Sequence, residues 1–150
     1  MSDNIIRLIP TNPSFVPDLK SHDRAIRILR TMVKEADSVS VEVTDEVQFI
    51  DQGSNFERVT CPSCGSEITD LWTEMMDNAY SNGFSDLNIE LSCCGLKTDL
   101  NALKYEWPAG FARFVLEAVN PHVDGWLPKS DIEVLEKALS CTLRQIFTHV

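Results

Sequence analysis

Apolar positions along the chain switch repeatedly between a period of two and a period near 3.6, which lays out an α+β order. Asn4–Pro10 reads as a short strand stopped by proline, and Thr11-Asn12-Pro13 as a turn. A helix is predicted from about Ser21, because Ala25, Ile28, Leu29, Met32, Val33 and Ala36 fall on one face. Val39-Ser-Val-Glu-Val-Thr alternates and predicts a strand reaching toward Ile50, followed by a loop over Asp51–Asn55. A second helix, capped by Thr69 or Asp70, carries Leu71, Trp72, Met75, Met76, Ala79 and Tyr80 to a stop at Asn82-Gly83. Leu87–Cys93 alternates as a strand, Leu96–Gly110 reads as a loop or hairpin, and Phe111–Val119 as an interior strand. The last helix is predicted from a capping box of Ser130 and Glu133 and from Ile132, Leu135, Leu139, Leu143, Ile146 and Val150.

Two stretches echo each other. The strand ending at Pro10 leads through Asn12-Pro13, with Pro17 ahead of its helix. The strand ending near Val119 leads through Asn120-Pro121, with Pro128 ahead of its helix. Such strand–helix units build split βαβ, ferredoxin-like sheets. The expected fold is therefore one α+β domain over residues 1–150. It holds an antiparallel or mixed sheet, about three helices, and inserted cysteine pairs at 61–65 and 93–95. A chain of 150 residues buries about 70% of its unfolded surface, so its globularity does not depend on a metal.

Charge narrows the partners. The 23 acidic and 13 basic residues give a net charge of −10, and the basic residues form no contiguous run. This disfavours a nucleic-acid groove or an anionic membrane surface, both of which need clustered Lys and Arg. An acidic surface serves solubility and would also attract a basic protein. The polar start, Met1-Ser2-Asp3-Asn4, and the lack of a long apolar run lead us to expect a cytoplasmic protein. In that compartment clustered cysteines signal metal or redox chemistry rather than disulfides.

Five cysteines are present, four of them in two tight pairs. In Cys61-Pro62-Ser63-Cys64-Gly65 two thiolates stand two residues apart, a spacing that grips one tetrahedral ion, and Gly65 permits the turn. The second pair, Cys93-Cys94-Gly95, repeats the Cys-Gly ending but lacks a cysteine three residues earlier. The first pair resembles the knuckle of zinc ribbons, and the resemblance implies a structural Zn²⁺ held by Cys61, Cys64, Cys93 and Cys94. The second pair departs from the ribbon spacing. In a continuous strand Cys93 and Cys94 would face opposite ways, which leaves His22, His122, an acidic side chain or water as other fourth ligands. A Cys-x-x-Cys pair also serves thiol oxidoreductases, but there it sits at a helix N-terminus.

The remaining candidates are weaker. Cys141 reads as a buried small hydrophobe in the last helix, and His22, His122 and His149 as surface residues. No HExxH, GxSxG, P-loop or GxGxxG is present, so no catalytic or cofactor-binding residue is assigned. Tyr105, Trp107 and Phe111, with Trp126, either cover the sheet or form an anchor patch for a partner. The function this predicts is a non-catalytic, zinc-binding interaction or regulatory protein with a protein partner. The alternatives are a zinc hydrolase or thiol oxidoreductase with an open site, and an acidic, immunity-type inhibitor of a basic protein.

Overall fold

The computed structural model describes residues 2–150. Strand β1 (Asn4–Pro10) lies in the middle of a four-stranded sheet and is buried on both faces apart from Asn4 and Arg7. Its apolar density, Ile5, Ile6, Leu8 and Ile9, is what a central position demands. Helix α1 (Leu19–Met32) follows, then β2 (Ser38–Ile50), while β7 (Gly110–Val119), α3 (Lys129–Leu139) and β8 (Leu143–His149) form the second unit. The sheet order is β2-β7-β1-β8, antiparallel throughout, with Ile6 opposite both Ala118 and Phe147. Two strand–helix–strand units thus interleave their strands, the order of a ferredoxin-like split βαβ sheet. The twin strand–helix stretches of the sequence occupy equivalent places in it.

Helices α1 and α3 pack on one face of this sheet. Their contact layer holds Ile6 and Leu8 of β1, Ala25 and Leu29 of α1, Phe114 and Leu116 of β7, and Leu135 and Leu139 of α3. Each large side chain buried there contributes roughly 1.5–3 kcal/mol. Asp18 caps α1, its Oδ1 accepting from the Ser21 amide at 3.0 Å and the Ser21 hydroxyl at 2.8 Å. Those two bonds hold the Asp18 carboxyl below its ordinary range.

The expected long final helix is two elements. Helix α3 ends at Leu139, Ser140 turns left-handed (φ 58°, ψ 38°), and the chain returns as β8. Glu136 makes the reversal, its carbonyl accepting from Cys141 N at 3.2 Å and its carboxylate from Leu143 N at 2.8 Å. The capping box does not form either, because Pro128 holds the N-cap and no side chain caps it. Cys141 therefore lies in the turn, half-buried against the helical layer.

Between β2 and β7 the chain leaves the sheet to build a second layer. It contains β3 (Val59–Thr60), α2 (Thr69–Tyr80), β4 (Asn88–Glu90), β5 (Lys97–Asp99), a single 3-10 turn (Leu100–Ala102) and β6 (Lys104–Tyr105). Strand β3 pairs with β6, and β4 with β5. The segment 96–110, expected to be a loop or hairpin, thus contributes to both small ladders. Helix α2 begins after Ile68 with no side-chain cap, since the Thr69 hydroxyl instead accepts from Val59 N at 3.1 Å. This layer has its own core of Val59, Ile68, Phe84, Leu91, Leu100, Leu103 and Tyr105, joined to the sheet through Phe111. Among the described residues no helix is long and apolar enough to cross a membrane.

Candidate metal centre

The two small ladders each end in the same turn. After β3, Cys61 N donates to Ser66 O at 2.9 Å and Gly65 N to Cys61 O at 3.1 Å. After β4, Leu91 N donates to Leu96 O at 2.9 Å and Gly95 N to Leu91 O at 2.7 Å. Gly65 and Gly95 close these turns at φ 76° and 75°, a left-handed conformation costly for any residue with a Cβ. Position by position, Cys61 corresponds to Leu91, Ser63 to Cys93, and Cys64 to Cys94. The second turn therefore takes one thiol from its third position where the first takes one from its first. The strand does not carry Cys93 and Cys94 to opposite faces, because β4 stops at Glu90 and the chain is already turning at Leu91.

All four sulfurs converge. Every Sγ of Cys61, Cys64, Cys93 and Cys94 lies within 4.8 Å of the others. Cys61 and Cys94 are 3.7 Å apart, and Cys93 and Cys94 3.9 Å. Four Zn–S bonds of about 2.3 Å in a regular tetrahedron have edges of about 3.8 Å, so the spacing fits one tetrahedral ion. The amides of Ser63 and Cys64 both donate to Cys61 Sγ at 3.4 Å, orienting that sulfur and favouring its thiolate. Cys61 is buried at 1% exposure, and the other three face solvent.

The thiols differ in acidity without a metal. The Ser66 hydroxyl, 3.3 Å from Cys64 Sγ, and the Ser66 backbone bring Cys64 down to about 6. Desolvation, and then the neighbouring sulfurs of Cys64, Cys61 and Cys94, push Cys93 up to about 12. Thiolates crowded this closely repel, so the cluster retains protons unless a cation replaces them.

The histidines stand apart from the sulfurs. His22, expected at the surface, is buried in α1 with its ring 5.0 Å from that of Phe114 and Nε2 2.8 Å from the Pro17 carbonyl. His122 is exposed, 3.8 Å from Asp37, and His149 Nδ1 lies 2.7 Å from Asn4 Oδ1. Among the described residues no histidine or carboxylate joins the four-cysteine group. Of the aromatic segment, Tyr105 and Phe111 are core residues, with the Tyr105 hydroxyl donating to Leu100 O at 2.6 Å and accepting from Trp72 at 3.2 Å. Trp107 and Trp126 are half-exposed and stacked, with centroids 6.1 Å apart.

Leu91 is the site residue that sequence reading passed over. Its signal was present, since Cys64-Gly65 and Cys94-Gly95 align the two turns and place Leu91 opposite Cys61. The chain matches no family model, no curated protein and no solved structure. The site's chemistry therefore rests on its own geometry.

Proposed function

We propose that this chain is a non-catalytic interaction or regulatory protein in which one Zn²⁺, held by Cys61, Cys64, Cys93 and Cys94, is structural. The observation that carries this reading is the convergence of four sulfurs at tetrahedral edge distances. Four thiolates complete the coordination sphere and leave no position for the water that a zinc hydrolase activates. The ion ties two ladders of two and three residues, which are too short to persist alone. In this respect the turn pair resembles a zinc ribbon, set into the β2–β7 connection of a split βαβ sheet.

The test is metal content and ligand count on protein purified without chelator. One equivalent of zinc is expected, and cobalt substitution should give the visible spectrum of a four-thiolate site. Metal-free protein in which Cys61, Cys64, Cys93 and Cys94 titrate as free thiols, or a cobalt spectrum of three thiolates, would overturn it.

A further inference from the structure

Helix α1 carries a charge opposite to that of the rest of the molecule. Lys20, Arg24, Arg27, Arg30 and Lys34 are all exposed, and Asp23 is the lone acid among residues 19–34. Five cations against one anion give this stretch +4, which leaves −14 on the remainder of a chain whose total is −10. No contiguous basic run marks it, because the residues are gathered by helical spacing. With His22, Ala25 and Leu29 turned to the core, positions 20, 24 and 27 form the centre of the outward face, flanked by 23 and 30, while Lys34 follows in the turn just past Met32.

The fold uses these charges only at the helix ends, where Lys20 and Arg24 help hold the Asp18 carboxyl low and Arg30 lies in the last turn. Among the described residues, none of the five is within 4.0 Å of a carboxylate, whereas Arg7, Arg58 and His122 each are. Lys20 and Arg24, Arg24 and Arg27, and Arg27 and Arg30 are like-charge pairs three or four apart within the helix, an arrangement that weakens it. Lys20 also sits in the first turn, where the helix dipole disfavours a cation. The other helices are built differently. Asp70, Glu74 and Asp77 are the charged residues of α2, and α3 mixes Lys129 and Lys137 with Asp131, Glu133 and Glu136.

We propose that the outward face of α1 docks a short acidic segment of a partner protein. The inference rests on reading the chain as an interaction protein and names the partner's chemistry. Lys20 to Arg30 spans about 15 Å of helix, the length of about five extended residues. Three of the five cations are arginines, whose guanidinium forks pair with carboxylates two bonds at a time. Leu19, 80% exposed at the head of the stripe, offers an apolar contact that a phosphate backbone lacks a counterpart for. A long polyanion would run past α1 onto the −14 remainder, whereas a short segment needs α1 alone.

The test uses the zinc-loaded full chain and fluorescein-labelled octaglutamate, read by anisotropy at low salt. We expect saturable binding, weakened about tenfold or more between 50 and 300 mM salt. Arg24→Glu with Arg27→Glu should lower it by about tenfold or more, and amide shifts should map to residues 19–34. Failure to bind at about 1 mM peptide, or equal binding by the charge-reversed chain, would overturn the proposal. So would an eight-nucleotide single strand that binds about tenfold tighter than the peptide, since it would assign the face to nucleic acid. Zinc content of the same samples reports separately on the metal reading, so either can fail without the other.

Discussion

Leu91 stands in the second turn where Cys61 stands in the first, both buried and both receiving the glycine amide that closes the turn, at 2.7 and 3.1 Å. The equivalence predicts that the missing thiol can be restored. Cys93→Ser alone should leave a three-thiolate site. Leu91→Cys combined with Cys93→Ser should recover four thiolates and one zinc, at a loss of about 1–3 kcal/mol from the removed methyl groups. Cobalt spectra of the two variants decide it, and a three-thiolate spectrum for the double variant would show that the turns are not equivalent.

Metal removal should act on one layer. The four sulfurs belong to the insertion with its own core, while the α1–α3 layer of the sheet contains none of them. Cys61→Ser, or chelation of the wild type, should raise amide exchange across residues 59–105 and leave β1, β7 and the helical layer protected. Uniform loss of protection along the chain would sink this expectation.

Ser140 supports a stabilising substitution. It holds a left-handed conformation at the end of α3 and is exposed, so its Cβ is strained and its side chain is dispensable. Ser140→Gly should raise stability by about 1 kcal/mol. Thermal melts should show this as a midpoint higher by about 2–5 °C. An unchanged or lower midpoint would mean the serine is not strained.

The same residue explains where the sequence misled. Leu139, Leu143, Ile146 and Val150 keep helical spacing straight through the boundary, so periodicity alone prolongs the helix. The break is made by a serine rather than a glycine, with Glu136 bonding both sides of the turn, and neither has a signature in one sequence. The β-branched and aromatic run Ile146-Phe147-Thr148 was the available hint of a strand. By contrast β1, α1 and β7 were legible because Pro or Asn-Pro punctuates one end of each, and β2 because its alternation is clear. The cysteine pairs were legible too, but alternation carried the strand too far, past Glu90 into Cys93. The cationic face of α1 was hidden because its charges adjoin only in three dimensions.

Asn101 joins the insertion to the sheet, and it predicts how the two layers couple. It lies in the 3-10 turn, almost wholly buried. Its Oδ1 accepts from Phe111 N at 3.0 Å and from Arg144 Nη1 at 3.0 Å, and its Nδ2 donates to Thr11 O at 3.1 Å. One side chain thus ties the insertion to the start of β7, to β8 and to the turn after β1. Arg144 adds bonds to the carbonyls of Asn101 at 3.0 Å and Ala109 at 2.9 Å. Leucine at position 101 has a similar volume but would leave the buried Phe111 amide unpaired and remove three bonds. Its expected cost is about 2–4 kcal/mol. Aspartate would keep both acceptor bonds and strengthen the one to Arg144, while turning the bond to Thr11 into an oxygen–oxygen repulsion, so Asn101→Asp should cost less than Asn101→Leu. Urea denaturation of the two variants, each loaded with one zinc, measures the difference. Equal losses, or a leucine variant as stable as the wild type, would show that the layers are held by apolar contact alone.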